Sequence, residues 1–161
     1  MSDTSGSDPR HGEPGAAWAE ATDVTAHIEE ILARIPYARF LGVAVELAGD
    51  EMTAVLPFSE QLIGNPLLPA IHGGVIGAFL EITALIQVYI AQGMTRLPKT
   101  IDVTIDYLRS GRPVTTFARA QIKRAGRRVA NVHVEAWQNT RAMPIATLHG
   151  NFLITATGGK S

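Results

Sequence analysis

Apolar positions along the chain follow first a helical period and later a period of two. Ile28, Ile31, Leu32 and Ile35 share one face of residues 24–35, the spacing of a short amphipathic helix, and Pro36 ends it. Two apolar runs, 41–47 and 52–57, read as strands joined by the turn Ala48-Gly49-Asp50. Residues 59–71 hold Gly64, Asn65, Pro66 and Pro69 and read as a long loop, a feature that in compact domains usually carries function. From Gly73 to Gly93 nearly every residue is apolar, which predicts a helix buried on all sides and capped by Gly93. Beyond it, Ile101, Val103, Ile105 and Tyr107 alternate with polar residues. Ala118, Ala120 and Ile122 do the same, as do Ala130, Val132, Val134 and Ala136, and a last strand covers 143–156.

The order is helix, two strands, buried helix, four strands. Consecutive strands on tight turns imply an antiparallel sheet of about six strands, and the apolar helix must bury itself against it, giving an α+β fold. Residues 23–157 are expected to form the single domain. The polar, Ser-, Gly- and Pro-containing residues 1–22 are expected to be a disordered leader, and 158–161 a flexible C-terminus.

Composition narrows the function. The 161 residues are 46% hydrophobic and 18% charged, which suits one globular domain with apolar surface to spare for self-association. A net charge of −1 argues against broad nucleic-acid binding. The absence of cysteine excludes thiolate nucleophiles, disulfides and thiolate metal sites, and fits a reducing, cytoplasmic setting. No basic start with an apolar run marks a secretory signal. The apolar stretch 75–91 is short for a membrane span and carries Glu81 near its middle, so a core helix is the better reading. The other histidines, His11, His27, His133 and His149, lack metal-ligand spacing, and no metal or cofactor is implied.

The informative segment is Asn65-Pro-Leu-Leu-Pro-Ala-Ile-His72-Gly73-Gly74-Val-Ile-Gly-Ala-Phe-Leu-Glu81, followed downstream by Thr100-Ile-Asp-Val-Thr-Ile-Asp-Tyr107-Leu-Arg109. It resembles the signature of hotdog-fold thioesterases of the phenylacetyl-CoA (PaaI-like) type: an Asn, a His-Gly-Gly at a helix start, and a carboxylate nine residues after the His. The resemblance spans most of residues 41–156. It implies a hotdog fold, with a curved sheet wrapped around the long helix, and hydrolysis of an aryl- or medium-chain acyl-CoA.

Elementary chemistry supports this reading. The first turn of a helix leaves N–H groups without helical partners, so Gly73 and Gly74 can offer donors to a thioester oxygen gaining negative charge. Glycine lets a carbonyl approach the backbone closely. Glu81, isolated in an apolar helix, is the candidate nucleophile or general base, and sequence does not separate the two roles. Nine helical residues place it roughly 13 Å from His72 along the axis. A two-fold dimer pairing Gly73 of one chain with Glu81 of the other brings them to one carbonyl, and the resemblance implies the same arrangement. A dimer of such dimers is the further expectation.

His72 is expected to hold the loop at the helix start, with a general-base role as the alternative. Through the resemblance, Asn65 would orient water or thioester, although it lies one residue farther from the His than is usual, with Pro66 in the usual place. Thr100 would help hold the water, and Thr83 is a weaker candidate near Glu81. Ile63 and Leu68, with Leu67, Phe79 and Ile82, are candidate acyl-pocket residues. Arg109 and Arg127, from two basic turns, are candidates to meet CoA phosphates. Two other readings stay open: a hotdog hydratase or dehydratase acting on acyl thioesters, and a non-catalytic acyl-CoA-binding protein.

Overall fold

The computed structural model describes residues 21–48, 51–93 and 95–154. The expected leader and C-terminus lie outside the described residues, apart from Ala21 and Thr22, which already belong to the first helix, α1 (Ala21–Arg34). Ile28, Ile31 and Leu32 are buried, so this helix docks through its predicted stripe. Pro36 does more than stop α1. It occupies the first turn of a second short helix, α2 (Pro36–Leu41), where its missing N–H costs nothing, and Gly42 closes α2 in the left-handed region at φ 71°. Strand β1 (Ala44–Ala48) therefore begins three residues later than the apolar run from Leu41 suggests, and pairs with β2 (Glu51–Leu56).

The predicted loop is partly ordered backbone. A 3₁₀ turn (Glu60–Leu62) leads into β3 (Ile63–Asn65), which pairs with β4 (Ala70–Ile71) in a small separate hairpin. The long helix α3 spans Gly73–Ala91; its C-cap is Gln92, and Gly93 follows at φ 55°. Four strands complete the chain: β5 (Lys99–Tyr107), β6 (Thr116–Ala125), β7 (Val129–Trp137) and β8 (Ala146–Leu153). The last is shorter than expected, because residues 140–145 turn before the strand begins.

The main sheet has six antiparallel strands in the order β1-β2-β6-β7-β8-β5. Its concave face wraps α3, the hotdog arrangement. The row Ala118, Ala136, Ala146 crosses three neighbouring strands in register, all fully buried. Phe79, Leu80, Ile86 and Val88 of α3 pack among Val132, Val134, Leu148 and Phe152. Each of these large side chains contributes about 1.5–3 kcal/mol on burial. Phe79 and Ile82, considered above as pocket residues, belong to this core. Gly73–Ala91 is the described helix long and apolar enough to cross a bilayer, and here it forms the centre of the fold.

Candidate active site

The start of α3 is built from adjacent peptide groups with different duties. His72 is the N-cap, in extended backbone at φ −59° and ψ 132°, and its Nδ1 accepts the Gly74 N–H at 2.8 Å. The His72 carbonyl accepts the Val75 and Ile76 N–H groups at 3.0 and 3.2 Å, and its own N–H binds the Leu62 carbonyl at 2.8 Å. Two consequences follow. Because Nδ1 is an acceptor, the neutral ring carries its proton on Nε2. And the Gly74 N–H, expected to serve the substrate, is spent on the cap. Among the described residues, the Gly73 N–H is the first-turn donor left without a protein acceptor. Gly64 runs so close to the cap that a Cβ there would lie 2.7 Å from the His72 Cα.

Beside this donor opens a bay of about 370 Å³, lined among others by Ile71, Gly73, Ile76, Tyr107, Leu108 and Arg109. Arg109 is held at its rim by a 2.6 Å hydrogen bond from Nη1 to the Pro144 carbonyl. The Tyr107 hydroxyl donates to the Gly73 carbonyl at 2.7 Å. Tyr107 had no role in the sequence reading. A phenol closing the apolar phase of a strand was the available signal, and its partner was invisible.

Glu81 lies two turns along α3, half-buried, and accepts a 2.5 Å hydrogen bond from the Thr100 hydroxyl. Strict alternation along β5 would turn Thr100 away from the helix, since Val103 and Ile105 face it. The register with β8 shifts between Thr100 and Asp102, and this bulge at Ile101 lets Thr100 face Glu81. The same bulge leaves Ile101 53% exposed, against the simple alternation. Thr83 is a correction. It is 1% exposed and its hydroxyl donates to the Phe79 carbonyl at 2.7 Å, so it serves the helix and not the carboxylate's surroundings.

The eight residue steps from Gly73 to Glu81 span about 12 Å of helix. Gly73, Gly74, His72 and Arg109 thus gather at one end of α3, while Glu81 and Thr100 meet farther along. Asn65 stands at the foot of the β3–β4 turn, where its Oδ1 accepts the Leu67 N–H at 3.0 Å and closes the turn instead of reaching Glu81. At the tip Leu67 and Leu68 are 91% and 70% exposed, so neither side chain is enclosed by the described residues. Ile63 is half-buried opposite Ile71. Arg127 lies apart from both clusters. With Arg124 and Arg128 it borders an open depression of about 610 Å³ at the β6–β7 turn.

This geometry can be set beside known proteins. The thioesterase superfamily profile matches residues 68–157, a span that includes the helix start, Glu81 and Thr100. The chain belongs to the thioesterase superfamily. It is a thioester hydrolase of the hotdog fold. Among relatives, it is 30% identical over 142 residues to the medium/long-chain acyl-CoA thioesterase YigI of Escherichia coli, covering 78% of this chain and 90% of that protein. A solved structure from Chromobacterium violaceum is 36% identical with a TM-score of 0.67, covering 85% of this chain and 97% of that one. The E. coli PaaI protein from the phenylacetic acid degradation operon, at 20% identity, shares the fold with a TM-score of 0.65 over 83% of this chain and 97% of its own.

Proposed function

We propose that this thioesterase hydrolyses acyl-CoA thioesters in a site shared by two copies of the chain. The Gly73 N–H of one copy polarises the thioester carbonyl, and Glu81 of the other supplies the chemistry. The observation that carries this reading is the separation of the free donor from the carboxylate on one rigid helix. About 12 Å is too far for both to meet a single carbonyl carbon. A second copy removes the difficulty, and β5 offers it a place. That strand is a sheet edge with Ile101 and Tyr107, and Leu108 just past its end, each more than half exposed, a template for pairing with another chain.

Glu81 acts in one of two ways. As nucleophile its carboxylate attacks the thioester carbon, CoA leaves as the thiolate, and water cleaves the resulting anhydride. As general base it takes a proton from the water that attacks directly. Either route builds negative charge on the thioester oxygen, which the Gly73 N–H and the helix N-terminus stabilise. Thr100, bonded to one carboxylate oxygen, fixes the rotamer that leaves the other for chemistry. A hydratase reading with His72 as general base fits less well, because its Nδ1 is committed to the cap and the Nε2 of the neutral ring carries the proton. For the acyl group, the name of the YigI relative favours a medium or longer chain, and the apolar Ile71, Ile76 and Leu108 of the bay suit it. Arg109 and Arg127 remain candidates for the CoA phosphates.

The test is thiol release from a panel of straight-chain and aryl acyl-CoAs. Glu81→Ala should lower kcat by about 10² or more while substrate binding persists. A wild-type enzyme that releases no thiol from any member, or a Glu81→Ala variant as active as wild type, overturns the reading.

A further inference from the structure

The peptide group between Gly73 and Gly74 is gripped at both ends. Its N–H donates to His72 Nδ1 at 2.8 Å, and its carbonyl accepts the Tyr107 hydroxyl at 2.7 Å. The next peptide group toward the N-terminus carries the free Gly73 N–H, and the two planes are joined only by the φ and ψ of Gly73. Glycine restricts those angles less than any other residue, and two glycines in succession at a frayed helix start would leave the donor loosely aimed. An oxyanion donor loses its value when it must reorganise during the reaction. The His72 carbonyl, in the same peptide group as the Gly73 N–H, accepts the Val75 and Ile76 N–H groups, which restrains the plane from the helix side, and Tyr107 adds a second restraint from outside the helix.

Space for the phenol is provided by glycine. A Cβ at Gly77 would come within 3.3 Å of the Tyr107 oxygen and 2.8 Å of Ile105 Cδ1, while one at Gly73 would lie 3.4 Å from the ring. Gly77, an otherwise unfavourable residue inside a helix, is thereby explained: it lets β5 press its Tyr107 end against the first turn. The phenol also lines the bay beside Gly73, so its hydroxyl reaches the peptide from the substrate side.

We propose that Tyr107 is a positioning residue for thioester hydrolysis: by binding the Gly73 carbonyl it fixes the orientation of the Gly73 N–H toward the substrate oxygen. This rests on the reading of Gly73 as the carbonyl donor, so the experiment must separate the two. The readout is the infrared carbonyl stretch of octanoyl-CoA, labelled with ¹³C at the carbonyl, bound to the slow Glu81→Gln enzyme. A polarising donor shifts that band to lower frequency relative to free thioester. Adding Tyr107→Phe should remove about half of the shift or broaden the band. In the otherwise wild-type enzyme, Tyr107→Phe should reduce kcat about ten-fold with KM changed less than about two-fold.

A shift that survives unchanged in Tyr107→Phe overturns the role of Tyr107 and leaves Gly73 standing. No shift in Glu81→Gln itself removes the Gly73 reading, and this proposal with it. Circular dichroism checks that Tyr107→Phe folds. Should it not fold, 3-fluorotyrosine at position 107 keeps the ring and strengthens the donor. It should deepen the shift, and an unchanged band again overturns the proposal.

Discussion

Gly73→Pro tests the oxyanion donor with little collateral damage, and the local backbone explains why. Gly73 is the first helical residue, the one interior position where proline is readily accommodated, because its N–H has no helical partner to lose. Proline also demands that the preceding residue be extended, and His72 already is, at φ −59° and ψ 132°. A Cβ at position 73 meets the Tyr107 ring only at 3.4 Å, an ordinary contact. The substitution therefore deletes one N–H and puts a ring carbon where the substrate oxygen should bind. Loss of such a donor costs about 2.7–4 kcal/mol, or 10²–10³ in kcat. Melting temperature should change by no more than a few degrees. A folded Gly73→Pro enzyme with near wild-type kcat refutes the donor assignment.

The same variant measures the sharing of the site. Chains carrying Gly73→Pro keep Glu81, and chains carrying Glu81→Gln keep the donor, so neither should work alone. When the two are unfolded together in equal amounts and refolded, half the dimers are mixed. Each mixed dimer then has one site with both groups intact and one with both lost, which predicts recovery to about a quarter of wild-type activity per chain. If donor and carboxylate instead act within one chain, mixing restores nothing. Activity that stays at the level of the two separate variants sinks the shared-site mechanism.

Thr100→Val removes the hydroxyl on Glu81 while keeping a strand-forming shape; kcat should fall about ten-fold, with the far-ultraviolet dichroism unchanged, and full activity would mean that the contact only packs. His72→Ala removes the N-cap and should lower stability in urea by about 1 kcal/mol, with His72→Asn recovering most of it; recovery of stability without recovery of kcat would return a chemical role to the imidazole.

The parts of the molecule legible in the sequence are those in which one physical signal dominates. Nineteen consecutive positions with almost no charge left α3 little alternative to the core, and the alternation in β6 and β7 fixed which residues face it. Where signals competed, reading failed. Leu41 opens an apolar run, 41–47, that looks like strand, yet Pro36 at the first turn and Gly42 at the end make Leu41 the last residue of α2. The prolines of 59–71 concealed the β3–β4 pairing, which a bulge makes irregular. Thr83 is near Glu81 in sequence, but residues two apart point to different sides of a helix, and this threonine satisfies its hydroxyl on the preceding turn. Gly74 was misread for a similar reason: counting free N–H groups at a helix start ignores the cap that claims one of them.

The contribution of β5 was the least legible, because its two important side chains are set by features that periodicity does not encode. A bulge aims Thr100 at Glu81, and a glycine notch admits Tyr107 to Gly73. One strand thus holds both chemical groups of α3, near its own two ends. It is also the sheet edge on which we place the second copy. Pairing across that edge would stiffen the backbone on which Thr100 and Tyr107 are mounted, in addition to bringing Gly73 and Glu81 of different copies together. Association would then do two things for catalysis, and an isolated chain would lack both: the complementary half of the site, and the rigidity of the strand that aims the half it has.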